Sequence, residues 1–231
     1  MNMAKDKQEC MTMNYKAVIF DLDGTLIDSI ADLADSANDM LSSFGFPQHA
    51  LDEYRYFVGN GPRKLMERCL PQEQAADPAF VDQALARYDH CYSSRLLNKT
   101  KPYEGILPML EALQKKNIPL AICTNKQQFA ADAIVGKLFP AGMFRENIGD
   151  QEGMPRKPDP TKVLRIVKDF GVAPEETAYL GDSSTDMETA RNAGFLPIGV
   201  TWGFRPREEL LATGAKILLE HPMELLEKVI F

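Results

Sequence analysis

Short apolar runs separated by helical spacings dominate the second half of the chain. Residues 15–20 read YKAVIF, and comparable runs end at Cys123 (IPLAIC), Leu180 (TAYL) and Val200 (FLPIGV), with a shorter one over residues 216–219. Each is brief and partly β-branched, as expected of a strand buried on both faces. Helical patterns separate these runs, and that alternation predicts a parallel sheet covered by helices on both faces.

The region after the first run differs. From Ser29 onward, Ile30, Leu33, Ala34, Ala37, Met40, Leu41 and Phe44 follow helical spacing, with Ser29 as N-cap and Gly45 as stop. A second helix carries Phe80, Val81, Ala84, Leu85, Tyr88 and Tyr92. Between them lie residues 54–58, the turn Gly59-Asn60-Gly61-Pro62 and a short helix through Leu65 and Met66. No strand pattern interrupts this stretch, so residues 27–99 are expected to form an inserted all-helical cap domain. Residues 99–105, KTKPYEG, read as the return hinge. The expected organisation is a polar leader over 1–14, a Rossmann-like α/β core from 15–26 and 100–231, and the helical cap over 27–99.

Composition narrows the function. The 231 residues carry 26 Lys plus Arg against 33 Asp plus Glu, a net charge of -7. With no basic run, a nucleic acid or an anionic membrane is not the expected partner. Four cysteines lie far apart with no C-x-x-C pair, which argues against disulfides, and the opening residues lack the apolar stretch of a signal peptide. No apolar run approaches the ~18 residues of a membrane span. A cytoplasmic protein is expected, as a monomer or homodimer.

The chemistry sits where polar residues meet the ends of the apolar runs. Asp21 follows AVIF, Thr124 follows LAIC and Asp182 follows YLG. In a parallel sheet, side chains at the strands' carboxyl ends converge on one crevice. Acids and hydroxyls commonly begin loops, but three such placements together favour a site. In DLDGTL, residues 21–26, Asp21 and Asp23 could bind a hard divalent cation, or one could attack phosphorus while the other moves protons. An EF-hand reading lacks the third acid and the terminal Glu; a solvated loop is the plain alternative. In GDSSTDM, residues 181–187, Asp186 falls near a helix start, where an acid is favoured anyway, so metal ligand and helix-start residue both stay open. Four acids about one crevice repel each other: at ~4 Å and an effective dielectric of ~20, each pair costs about 4 kcal/mol. Added cations are needed, and Lys157 in RKPDP is the candidate on the chain.

DLDGTL at Asp21, ICTNK around Thr124, RKPDP around Lys157 and GDSSTDM at Asp182 resemble the four ordered motifs of the haloacid dehalogenase superfamily, over residues 15–214. Within it the chain looks like the phosphoglycolate phosphatase branch, including the helical cap and the VGNG loop at Val58. The resemblance implies a phosphatase acting on a small phosphorylated metabolite, with Asp21 as nucleophile and Asp23 as acid and base. It implies Mg²⁺ held by the Asp21 carboxylate, the Asp23 carbonyl and Asp182, with Asp186 nearby. Thr124 and Lys157 would donate to phosphoryl oxygens, as would the backbone around Asn125.

Asp23 separates the chain from dehalogenases and phosphonatases, which lack an acid there, and Leu33 stands where the similar phosphomutases carry a histidine. Sugar phosphates, pyrophosphate and nucleoside monophosphates remain alternative substrates, and a non-catalytic relative a further alternative. Gly59-Asn60-Gly61 with Arg63 and Lys64 is the candidate specificity loop, in which Asn60 would touch substrate and Arg63 would meet the carboxylate of phosphoglycolate. A tight turn between two helices is the competing reading.

Overall fold

A computed structural model describes residues 13–231. The expected leader therefore lies outside the described residues except for its last two positions, of which Asn14 bridges to Ile230. Strands β1 (Ala17–Phe20), β4 (Leu120–Gln127), β5 (Glu146–Asp150), β6 (Thr177–Gly181), β7 (Leu196–Val200) and β8 (Ile217–Leu219) form one sheet in the order β5-β4-β1-β6-β7-β8. All its pairings are parallel, so the expected Rossmann-like α/β core is present.

Alternation along each strand feeds two apolar layers. Val18, Phe20, Leu120, Ile122, Ala178 and Leu180 pack on one face, against a helix α6 (Ile106–Lys115) that contributes Met109, Leu110 and Leu113. Ile19, Ala121, Cys123 and Tyr179 face the other way, onto Val163, Ile166 and Val167 of α8 (Thr161–Phe170) and Ala190 of α9 (Ser184–Ala193). Cys69, Cys91 and Cys123 are free thiols. Among the described residues, no helix is long and apolar enough to cross a membrane.

Residues 30–93 form five helices: α1 (Ile30–Ser43), α2 (Leu51–Phe57), α3 (Pro62–Cys69), α4 (Gln72–Ala75) and α5 (Pro78–Ser93). They share a separate core built on Leu33, Met40, Leu41, Tyr54, Met66 and Tyr88. Two features of this region escape a reading of periodicity. A two-residue antiparallel pair, β2 (Ile27–Asp28) with β3 (Lys101–Pro102), joins the exit and return chains, so a short strand opens the stretch expected to be purely helical and pairs with the return hinge. Pairs this short carry no hydrophobic period. The second is Asp32, a buried acid on α1 that anchors the return segment. Its carboxylate accepts from the backbone N–H of Lys99 (2.9 Å) and from both the N–H (2.8 Å) and hydroxyl (2.7 Å) of Thr100.

The pattern of apolar runs does not predict strand β5 either. Its sequence, ENIGD, is polar because it forms a sheet edge, where only Ile148 and Gly149 are buried.

Candidate active site

The strand order reverses about β1, with β4 and β5 on one side and β6 to β8 on the other. Such a switch point leaves a crevice at the strands' carboxyl ends. Asp21 leaves β1 there, its N–H donating to Leu180 O (2.9 Å), while Thr124 lies within β4 and Asp182 directly follows β6. The backbone must turn tightly to bring these groups together. Gly24 takes φ 83°, and a Cβ there would overlap the Asp182 carboxylate; a Cβ on Gly181 would overlap Asp186.

Three carboxylates result, all buried: Asp21, Asp182 and Asp186 each present an oxygen within 4.8 Å of the others. Lys157, also buried, reaches both Asp21 Oδ1 (2.8 Å) and Asp186 Oδ1 (2.6 Å), and donates to the Tyr179 hydroxyl (3.1 Å). Asp186 Oδ2 accepts from the N–H (3.1 Å) and hydroxyl (2.6 Å) of Ser183. Asp186 therefore serves the helix start and the acidic cluster at once. Asp182 Oδ2 accepts from the Phe204 N–H (2.7 Å). Asp21 Oδ1 lies close to Lys157 but outside hydrogen-bonding alignment, and it has no other partner among the described residues.

The electrostatics follow from one cation among three acids. Burial, then the charge of Asp186, raises the Asp21 pKa to about 6 against the pull of Lys157. Burial together with Asp186 and Asp21 likewise pushes Asp182 well above the carboxylate range. Burial alone would lower the Lys157 ammonium, but Asp186 and Asp21 outweigh it and hold the group well above its ordinary value. An all-oxygen donor set with surplus negative charge fits a hard divalent cation.

Asp23 faces the crevice from the other side. Its carboxylate accepts from Ser29 Oγ (2.5 Å) and from Lys126 Nζ (2.9 Å), and Lys126 in turn lies 4.8 Å from the centre of the Tyr92 ring. Thr124 is buried, its hydroxyl accepting from the Lys126 N–H (3.2 Å). Asn125 is occupied by the backbone: it accepts from Lys157 N–H (3.0 Å) and donates to Lys157 O (3.3 Å) and Gly59 O (3.2 Å). Asp21, Asp23, Thr124 and Asn125 line a cavity with about 670 Å³ of free space out to its mouth. Its opposite wall comes from the helices, through Leu33, Leu65, Tyr88 and Tyr92.

Two expected substrate contacts are not in this cavity. Arg63 pairs instead with Asp82 on α5, at a site where both side chains are exposed. The reason is periodicity: α3 turns Leu65, Met66 and Cys69 inward, which leaves Arg63 and Lys64 on its outer face. Asn60 donates to Thr185 Oγ1 (3.1 Å) and accepts from Arg68 (2.7 Å), so its amide bridges helix and core. Two cationic cavity residues escape the sequence reading, Lys126 and Arg205. Lys126 lies two residues past Thr124 on the same strand, hence on the same face, and that spacing was the available signal.

A family model for haloacid dehalogenase-like hydrolases matches residues 18–200, and the chain belongs to that family. It is similar to the phosphoglycolate phosphatase of Pseudomonas putida, 32% identical over 91% of this chain and 78% of that one. The phosphoglycolate phosphatase of Thiobacillus denitrificans is 36% identical over 84% of this chain and 88% of its own length. A crystal structure from Lactobacillus delbrueckii subsp. bulgaricus, provisionally named phosphoglycolate phosphatase, superposes with a TM-score of 0.87 at 31% identity, covering 94% of this chain and 99% of that one. Family and relatives together make the chain an enzyme, a phosphoric monoester hydrolase.

Proposed function

We propose that this enzyme is a Mg²⁺-dependent phosphatase that moves the phosphoryl group of a small metabolite onto Asp21 and then hydrolyses the aspartyl-phosphate, with phosphoglycolate as substrate and the cytoplasm as its compartment. The observation that carries this reading is the meeting of Asp21, Asp182 and Asp186 around one lysine. Mg²⁺, held by Asp21, Asp182 and the Asp23 carbonyl with Asp186 alongside, would supply the positive charge that lets a phosphate enter.

The remaining work falls to the chain's own groups. An oxygen of Asp21 bonds to phosphorus as the ester P–O bond breaks, and Asp23 gives its proton to the departing oxygen. Water then attacks phosphorus, the Asp21–phosphorus bond breaks, and Asp23 takes the proton from that water. Lys157 and Thr124 hydrogen-bond the phosphoryl oxygens where charge accumulates. Residues 27–99 serve as the cap that roofs the cavity and excludes bulk water.

Borohydride trapping tests the covalent step. Reduction of enzyme quenched during turnover should convert the phosphorylated Asp21 side chain to that of homoserine, found by mass spectrometry of its peptide. Unreduced Asp21 throughout, while phosphate is released, would replace the covalent route with direct attack by water. Thorough chelation should abolish phosphate release, with recovery on adding Mg²⁺ and much less on adding Ca²⁺, whose looser coordination disturbs the line of attack.

A further inference from the structure

With Arg63 turned outward, the cavity's positive charge comes from elsewhere. Lys126 and Lys157 are both held by carboxylates, of Asp23 and of Asp21 with Asp186. Arg205 is different. It lies on the core side, in the segment after β7, lines the cavity, and its side chain is only 13% exposed. Its Nη2 donates to the carbonyls of Val58 (3.2 Å) and Tyr56 (3.3 Å), and its guanidinium sits 5.3 Å from the Tyr56 ring centre. Its nearest acid is Glu209, 3.9 Å from Nε, and Glu209 already accepts from the Ser184 N–H (3.1 Å).

A second guanidinium stands beside it. Arg68 donates to Phe57 O (2.9 Å) and to Asn60 Oδ1 (2.7 Å), and burial followed by the charge of Arg205 lowers its pKa. Two cations thus gather on carbonyl oxygens and an amide, which orient a guanidinium without cancelling its charge. Arg205 thus brings positive charge to the cavity lining in a protein of net charge -7, with Arg68 outside that lining. An oriented guanidinium of this kind suits a carboxylate or phosphate.

We propose that Arg205 reads a second anionic group of the substrate, so that specificity for doubly anionic phosphomonoesters is set from the core side of the cavity rather than by the cap arginine at position 63. The inference rests on the phosphatase reading above and deepens it. Its position one residue beyond Phe204, whose N–H holds Asp182, ties this anion reader to the acidic cluster through 3.8 Å of backbone per residue.

The matched pair phosphoglycolate and 2-hydroxyethyl phosphate, which differ in the carboxylate, tests the idea, with propane-1,3-diol bisphosphate as a third arm. Arg205→Gln keeps donors for the carbonyls but removes the charge. It should lower kcat/KM for phosphoglycolate by about tenfold to a hundredfold, mainly through KM, with a much smaller loss on 2-hydroxyethyl phosphate. Arg205→Lys should recover part of the loss. Whichever doubly anionic ligand loses more identifies the second anion as carboxylate or phosphate. Equal losses on all three would overturn the proposal and leave Arg205 as a brace for the cap; no loss would overturn it too. Calorimetric binding to Asp21→Asn protein separates this from failure of the phosphatase reading. There Arg205→Gln should weaken phosphoglycolate at least about tenfold and inorganic phosphate little, whether or not the wild-type enzyme turns over. Unchanged phosphoglycolate binding in that background also refutes the assignment.

Discussion

The crevice at the strand ends and the outer surface of the helical cap treat charge in opposite ways. In the crevice, Asp21, Asp182, Asp186 and Lys157 are buried together, and Lys157 is the cation that pairs with both Asp21 and Asp186. On the cap surface, Arg63 with Asp82 and Lys64 with Glu67 form pairs reached by solvent. Water screens the second kind far more than the first. Charge in the crevice is therefore tightly interdependent and belongs to chemistry, whereas charge on the cap exterior can be exchanged at little cost. What the helices of residues 30–93 present to the cavity is an apolar wall, with the Gly59 carbonyl bonded to Asn125.

Removing one member from each setting tests this contrast. The largest effect is expected for Lys157→Met, which leaves Asp21 and Asp186 buried without their cation. Breaking such a pair costs about 3–5 kcal/mol, to be read from urea unfolding, and turnover should be lost as well. A smaller separation between mutant and wild type in Mg²⁺ than in chelator is expected, because a divalent cation takes over part of the lost compensation.

An intermediate effect belongs to the boundary between the two regions. Asp32→Ala strips partners from the N–H groups of Lys99 and Thr100, where the chain returns from the cap. A loss of about 2–3 kcal/mol is expected, together with faster amide exchange at positions 99 and 100. Unchanged exchange there would mean that the β2–β3 pairing alone holds the hinge.

The smallest effect is expected at Arg63. Its pair with Asp82 is exposed, so Arg63→Ala should change stability by less than about 1 kcal/mol. It should also leave hydrolysis of phosphoglycolate within about threefold of wild type, since the side chain does not line the cavity. A tenfold loss confined to phosphoglycolate would return the substrate's carboxylate to the cap and weaken the contrast.

Much of the core was legible before any coordinates, for a reason visible in particular residues. Asp21, Thr124 and Asp182 each follow an uninterrupted apolar run, and the rule that parallel strands present their carboxyl ends to one crevice joins them across the chain. The helices around Leu33 and Tyr88 were legible through their period. Strand β5 was not, because an edge strand such as ENIGD can be polar, nor was the β2–β3 pair, too short to show any period. Arg205 follows the same strand-end rule as Asp182, but an arginine in a loop ordinarily faces solvent, so its chain position alone does not single it out.

Residue type and local periodicity fix which groups can do chemistry and roughly where the sheet and helices fall. Partnership was decided only by the tertiary structure: that Lys157 joins Asp21 to Asp186, that Lys126 meets Asp23, and that Arg63 turns to Asp82 while Arg205 enters the cavity. The physical reason is that a long charged side chain can satisfy its head group in several directions. The choice among them depends on desolvation and on neighbours distant in sequence, which no local pattern encodes.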